Sequence, residues 1–278
     1  MTPYVVRETG ILTGRSVRHI LRSPDTILTT VVTPIAMLLL FVYVFGGAIQ
    51  AGGAIPGAAQ DGARYVDYLL PGIHVITVAS GTAYTAFRLF TDRTGGIVER
   101  FRSMPIARSA ILWAHVLTSV LANAVSLLLI VGLALVMGFR SGAGPLAWLA
   151  VTGLLILVTL ALSWLAVIPG LTAGSVDGVS GFSYPLIFLP FVSSAFVPTD
   201  GMPAAVRWFA ERQPVTPIVD TLRNLMADRP VGTDGAVAVV WCVALLVVAV
   251  ALAVLIDRRS AGGAAGQAPD VSPAGPAD

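Results

Sequence analysis

The chain has 278 residues, of which 56% are hydrophobic and only 12% are charged. Its mean hydropathy is +0.84. Soluble domains carry about 25% charged residues, so this composition cannot supply the polar surface of a water-soluble globule. The sequence therefore predicts an integral membrane protein.

The types of residue that are missing exclude several functions. All seventeen basic residues are arginine. Without lysine the chain cannot be a P-loop ATPase, nor can it use a Schiff base in catalysis. The single cysteine, Cys242, excludes an intrachain disulfide and a site built from several thiolates. A net charge of +2 without a basic stripe argues against nucleic acid as a partner.

The N-terminal segment, residues 1–26, precedes the first apolar stretch. At 100° per residue, its Arg7, Arg15, Arg18 and Arg22 fall within an arc of about 80°. This pattern predicts a cytoplasmic amphipathic helix that lies in the membrane interface and directs its arginines toward anionic lipid. A solvated leader is the alternative.

Six apolar stretches follow, and each is long enough to cross a hydrocarbon core of about 30 Å as a helix. They lie at about 27–46, 66–87, 110–138, 146–169, 181–197 and 236–256. Pro185 and Pro190 interrupt the fifth stretch, so part of it is expected to bend. The predicted fold class is an all-α membrane protein with six transmembrane helices.

The distribution of arginine predicts the orientation. Eleven of the seventeen arginines lie before the first stretch, between the second and third, and after the sixth. By the positive-inside rule, both termini face the cytoplasm. The last residues, 259–278, consist mostly of Ala, Gly, Pro, Ser and Asp, which predicts a disordered cytoplasmic tail.

A charged cytoplasmic loop, residues 88–109, stands out in a chain otherwise poor in charge. Within it the sequence predicts a short helix that follows a glycine pair and ends at Pro105. Ile97, Phe101 and Met104 form one apolar edge of that helix. The edge is too small to fold alone, which favours insertion into a groove on a cytosolic partner. A solvated positive-inside loop is the alternative.

The loop resembles the cytoplasmic segment of ABC type-2 exporter permeases. Residues 193–198, 213–217 and 220–223 resemble the C-terminal signature of the same family, most closely in its daunorubicin-resistance-like branch. Two positions depart from the usual pattern, since a glycine pair opens the loop helix and Gln213 stands where asparagine is common. The resemblance extends over residues 4–258.

The resemblance implies a six-span transmembrane domain, here residues 27–258, and an N-terminal interfacial helix. It also implies a permease dimer, homomeric or heteromeric, seated on two cytosolic ATP-binding subunits. Those subunits would bind ATP and Mg²⁺, so this chain would be no enzyme and would need no cofactor or metal. The positions that match the family's coupling elements are Arg22, Ile97, Glu99, Arg100, Phe101, Arg102 and Met104.

The segment 198–235 precedes the last span. Thr216 can cap a helix with Pro217 at its first position, and Ile218, Leu222, Leu225 and Met226 then form an apolar stripe. This pattern fits short extracellular helices that dip into the outer leaflet, which the family resemblance also implies. An ordinary extracellular loop with a surface helix is the alternative.

Candidate substrate contacts lie in the second and fifth spans. His74 is an ionisable residue deep in a span, and Tyr184, Phe188 and Phe191 repeat at helical spacing. The aromatic stripe could line a path for a flat hydrophobic substrate by stacking. Ordinary helix packing is the alternative for both features.

No span carries paired carboxylates or an Asp/His pair that would suit a proton relay, which favours an external energy source. The expected function is the permease subunit of an ATP-driven exporter in the bacterial cytoplasmic membrane, contacting membrane lipids. Its expected cargo is a hydrophobic or amphipathic drug or secondary metabolite. The alternatives are export of a lipid or glycan, an ATP-independent secondary transporter, and an intramembrane enzyme.

Overall fold

The computed structural model describes residues 9–10, 13–14, 24–47, 65–96 and 108–265. These ranges contain helices and turns and no strand, which confirms the all-α prediction for the described part of the chain. Residues 9, 10, 13 and 14 of the predicted interfacial helix are helical. The rest of that helix, Arg22 included, lies outside the described residues, and so do the six coupling positions between residues 97 and 104.

The described long helices overlap all six predicted apolar stretches. The first five are α1 (Pro24–Leu39, continued by a π-helical turn Leu40–Phe45), α2 (Tyr65–Thr94), α3 (Arg108–Val136), α4 (Pro145–Thr172) and α5 (Val176–Phe188, continued by a 3₁₀ turn Leu189–Val192). A 3₁₀ turn Thr199–Gly201, α6 (Ala204–Arg212), α7 (Val215–Met226) and α8 (Asp234–Ala265) complete the order. Helix α5 continues through Pro185 and changes to a 3₁₀ turn at Leu189, directly before Pro190.

Three described segments are long and apolar enough to cross a membrane, namely Ser109–Val136, Pro145–Thr172 and Asp234–Asp257. Two shorter apolar segments, Val31–Phe45 and Val176–Val192, accompany them. These helices are consistent with the predicted membrane protein.

Helix α2 occupies the centre of the bundle. It contacts α1, α3, α4, α5 and α7, and most of its residues between Tyr65 and Phe90 are buried. Because its neighbours shield it, α2 tolerates polar residues that a lipid-facing helix would not. Thr77 and Thr85 each donate a hydrogen bond to a carbonyl four residues earlier in the helix, and Thr82 donates to one three residues earlier.

Helix α7 is inserted into the bundle and packs against α2, α4 and α8. Ile218, Leu222 and Met226 are buried, and Leu225 is partly buried, so the predicted apolar stripe is present. The predicted cap is wrong, because the helix begins at Val215 after Pro214. The Gln213 side chain accepts a hydrogen bond from the Val215 amide at 3.0 Å, which starts the helix earlier.

Two helices extend past their predicted ends. Helix α2 continues to Thr94, so the first residues of the loop 88–109 are helical. Helix α8 continues to Ala265, into the segment 259–278 that the sequence predicts to be disordered. The remainder of that segment, residues 266–278, lies outside the described residues.

The close contact between α2 and the segment after α5 allows the packing to be tested by substitution. A Cβ atom at Gly72 would lie 2.7 Å from the Ala195 Cβ and 2.9 Å from its carbonyl oxygen. We expect Gly72→Ala to lower the free energy of unfolding by about 1–3 kcal/mol through overpacking. Thermal unfolding of the detergent-solubilised protein measures the change.

Gly132→Ala in α3 is the matched control, because nothing lies within 4 Å of a Cβ atom built there. Alanine is the better helix former by about 0.5–1 kcal/mol, so this variant should be as stable as the parent or more stable. Equal midpoints for the two variants would contradict the close contact at Gly72.

Candidate functional site

An aromatic cluster joins the end of α1 to the end of α5. It comprises Phe41, Phe45, Phe188, Phe191 and Phe196. The rings of Phe191 and Phe196 stack with centroids 4.7 Å apart and an interplanar angle of 6°. The ring centroids of Phe41 and Phe196 are 4.5 Å apart, and those of Phe188 and Phe191 are 6.0 Å apart. This cluster fixes the two helix ends beside each other.

The predicted aromatic stripe is divided between two environments. Tyr184 and Phe188 are 58% and 61% exposed on α5, whereas Phe191 is partly buried in the aromatic cluster. The α-helix ends at Phe188 and a 3₁₀ turn follows, so Phe191 contacts Phe196. Of the three residues of the stripe, Tyr184 and Phe188 present aromatic surface on the outside of the fold.

His74 lies inside the bundle and is fully buried. Its Nδ1 atom bonds to the carbonyl oxygen of Leu70 at 2.7 Å, and because a carbonyl only accepts, Nδ1 carries the proton. Its Nε2 atom has no hydrogen-bond partner among the described residues. In this arrangement a substrate could reach His74 only if α2 moved relative to its neighbours.

A polar cluster forms from the residues of the C-terminal motifs together with Tyr68 of α2. We call Tyr68, Ser194, Asp220 and Arg223 the signature network. The carbonyl oxygen of Ser194 accepts hydrogen bonds from the Tyr68 hydroxyl at 2.9 Å and from Arg223 Nη2 at 2.7 Å. Arg223 also pairs with Asp220, and its guanidinium lies 3.9 Å from the centre of the Tyr68 ring. The Ser194 hydroxyl donates to Asp220 at 2.8 Å.

The charges of the signature network are mostly enclosed. The Arg223 and Asp220 side chains are 18% and 28% exposed. Burial raises the pKa of Asp220, while Arg223 and the Ser194 hydroxyl act in the opposite direction. A buried ion pair is costly unless its remaining donors and acceptors are satisfied. The hydrogen bonds to Tyr68 and Ser194 meet that condition and hold residues 193–196 between α2 and α7.

Sequence reasoning missed this assembly. It placed Ser194, Asp220 and Arg223 in motifs but assigned them no contacts, and it did not consider Tyr68. Helical periodicity reports only neighbours within one helix. The one available signal was the presence of both an acidic and a basic residue in an otherwise apolar segment.

The opposite end of the bundle has its own polar contacts. Arg93, in the last turn of α2, donates hydrogen bonds to the carbonyl oxygens of Leu171 and Ala173 at the end of α4. Asp92 lies 3.5 Å from His115 of α3. These contacts lie at the start of the predicted coupling loop.

Comparison with known proteins finds a matching family model and similar permeases. The family model for the ABC-2 type transporter matches residues 7–227. The daunorubicin resistance ABC transporter permease protein DrrB1 of Streptomyces coeruleorubidus is 33% identical over 82% of this chain and 77% of its own length. The probable doxorubicin resistance ABC transporter permease protein DrrC of Mycobacterium tuberculosis is 24% identical over 92% of this chain and 90% of its own length.

Removing one charge of the signature network should cost more stability than removing both charges. Arg223→Met should destabilise the protein strongly, because it leaves Asp220 without its cation; breaking a fully buried pair costs about 3–5 kcal/mol, and the partial exposure of Asp220 reduces that figure. The double variant Asp220→Leu with Arg223→Met should recover most of the loss. Thermal unfolding in detergent distinguishes the two.

Arg207→Met is the matched control in the same segment, residues 198–235. Arg207 pairs with Asp200 at 2.9 Å, but these side chains are 44% and 83% exposed. Exposed ion pairs contribute little to stability, so this variant should unfold close to the parent temperature. If the double variant proves no more stable than Arg223→Met alone, the destabilisation does not come from an unpaired carboxylate.

Proposed function

Since the chain belongs to the ABC-2 type transporter family, we propose that it is the permease subunit of an ATP-driven exporter of a hydrophobic or amphipathic drug or secondary metabolite from a bacterial cell. The observation that carries the proposal is the match over most of the chain to permeases named for daunorubicin and doxorubicin resistance. The residues of the C-terminal motifs also pack together in one network, as members of one functional unit would.

We further propose six membrane spans, formed by α1 to α5 and α8, with both termini in the cytoplasm. Contacts between helix ends support this alternation. Ser141, between α3 and α4, donates a hydrogen bond to the Met226 carbonyl at 2.7 Å, so this connection lies beside α7. Arg93 joins the C-terminal ends of α2 and α4, at the other end of the bundle from Ser141. The segment 198–235 then lies on the outer side and the loop 88–109 on the cytoplasmic side.

The proposed complex contains two permease subunits and two copies of a cytosolic ATP-binding subunit that holds ATP and Mg²⁺. The absence of lysine from this chain supports a separate ATPase, since a P-loop needs that residue. The ATP-binding subunit would contact the helix predicted within the loop 88–109 and the N-terminal segment 1–26. The proposed contact residues are Arg22, Ile97, Glu99, Arg100, Phe101, Arg102 and Met104.

The proposed substrate path follows α5. Tyr184 and Phe188 offer exposed aromatic surface, and Phe191 continues it into the aromatic cluster. Flat polycyclic compounds stack on such rings through dispersion and quadrupole attraction. An anthracycline of the kind named for the relatives has this chemistry. His74 would join the path only in a conformation that opens the bundle.

The test is ATP-dependent uptake of daunorubicin into inverted membrane vesicles, followed by fluorescence. Vesicles with this chain and its ATP-binding subunit should accumulate the drug, and vesicles with either subunit alone should not. Uptake by this chain alone under a proton gradient would replace the proposal with a secondary transporter. Stable co-purification of the two subunits without drug uptake would redirect the cargo to lipids or glycans.

The α5 path predicts a selective loss of transport. Phe188→Ala should reduce daunorubicin uptake about tenfold. Stacking of a flat ring system, such as a nucleic-acid base, on one aromatic side chain contributes about 1–3 kcal/mol. Phe188 is 61% exposed and its ring contacts the aromatic cluster through Phe191, so the variant should lose only about 0.5–1.5 kcal/mol of stability and insert into the membrane normally.

Leu128→Ala is the control for Phe188→Ala, because Leu128 is an exposed apolar residue on α3. It should transport normally in the same vesicles. Equal uptake by both variants would remove Phe188 from the path, and equal loss in both would point to a general effect of shortening exposed side chains.

A further inference from the structure

Arg93 connects two parts of the chain that are far apart in sequence. It is in the last turn of α2, whose final residues are the first residues of the predicted coupling loop, 88–109. Its two terminal nitrogens donate to the carbonyl oxygens of Leu171 and Ala173, which are 78 and 80 residues away. The last carbonyl groups of a helix lack partners within the helix and carry partial negative charge. A bidentate guanidinium satisfies two of them at once.

The packing beside Arg93 makes this connection stiff. A Cβ atom at Gly170 would lie 2.9 Å from the Leu89 side chain, so α2 and α4 are in close contact one turn away. Phe90 lies under the guanidinium, with 5.8 Å between the Arg93 Cζ atom and the ring centre. The ends of α2 and α4 therefore form one packed unit.

The end of α4 in this packed unit is followed directly by α5 along the chain. Residues 173–175 are the whole connection between α4 and α5. Ser175 caps α5 by accepting a hydrogen bond from the Gly178 amide at 3.2 Å. Arg93 thus holds the connection from which α5 starts. The neighbouring contact between Asp92 and His115 leads instead to α3, which the loop already joins covalently.

We propose that Arg93 is a positioning residue that carries movement of the coupling loop to the start of α5. Displacement of the loop by the ATP-binding subunit would shift the last turn of α2, and the two hydrogen bonds of Arg93 would move the α4–α5 connection with it. Helix α5, with Tyr184 and Phe188, would then change its position. This inference rests on the proposed function, because it takes the loop to be the contact site of the ATPase.

The first arm of the test measures hydrogen–deuterium exchange of the chain alone in lipid nanodiscs. Arg93→Gln should speed exchange of the amides in residues 172–180 about tenfold, because the end of α4 loses two charge-assisted hydrogen bonds. Arg93→Lys, which keeps the charge but not the fork, should give an intermediate rate. Unchanged exchange in both variants would overturn the proposal.

Arg140→Gln is the matched control. Arg140 also donates to carbonyl groups at a helix end, those of Leu135 and Phe139 at 3.1 and 2.8 Å. Both acceptors lie within its own stretch of chain, at the opposite end of the bundle from Arg93. The variant should leave exchange in residues 172–180 unchanged. A similar increase in this control would show that loss of any arginine loosens the bundle, which would overturn a specific role for Arg93.

The second arm uses the complex with the ATP-binding subunit, with and without a non-hydrolysable ATP analogue and Mg²⁺. In the parent, the analogue should change exchange in residues 97–107 and in residues 172–180. In Arg93→Gln the change in 97–107 should remain and the change in 172–180 should disappear. If the change in 172–180 persists in the variant, Arg93 does not transmit the movement.

The two arms separate this inference from the proposed function. If residues 97–107 do not respond to the ATP-binding subunit in the parent complex, the coupling role of the loop is wrong, and transmission through Arg93 falls with it. The arm without a partner still decides whether Arg93 holds the α4–α5 connection.

Discussion

The hydrocarbon of a membrane offers no hydrogen-bond partner, so a polar group of a spanning helix is costly unless it finds a partner inside the protein. This constraint explains the central position of α2, whose threonine hydroxyls bond to its own carbonyl groups and whose neighbours cover most of its surface. It also explains the contact between α3 and α4, where the Ser163 hydroxyl donates to the Ser119 hydroxyl at 2.8 Å. Within α3, Asn123 donates to the Ser119 carbonyl at 3.0 Å. Apolar residues are left for the outer surface of α3 and α8.

The same constraint determines how far the fold could be predicted. Apolar runs locate the described long helices, because the need to avoid exposed backbone applies along the whole of each run. Their ends are predicted less well, since α5 with its last turn covers Val176–Val192 instead of 181–197. Helix ends are decided by individual side chains instead. The start of α7 depends on whether Gln213 or Thr216 satisfies the first amides, and the Thr216 hydroxyl donates to the Ala210 carbonyl at 2.5 Å. Residue type alone could not choose between them.

The candidate sites divide along similar lines. Tyr184 and Phe188 were predictable because both belong to one helix, where spacing determines the shared face. Phe41 was not, since its contacts with Phe191 and Phe196 join segments about 150 residues apart. The signature network shows the same limit: its hydrogen bonds link Tyr68 to residues more than 120 positions later. Motif resemblance identified most of these residues as a group but could not show that they pack on α2.

These contacts hold α5 at its two ends and leave few buried residues along its length. Only Val179 and Ser183 are buried along Val176–Phe188. At one end the aromatic cluster and the signature network hold the chain after it, and at the other end Arg93 holds the connection before it. Between these points Pro185 removes one backbone hydrogen bond, which favours bending there. A helix held at both ends and weakly packed between them can tilt or bend at low cost, because few buried contacts must break. If the proposed path along α5 is correct, this mechanical property and the exposed aromatic rings together make movement of α5 an economical way to change the surface that a substrate would contact.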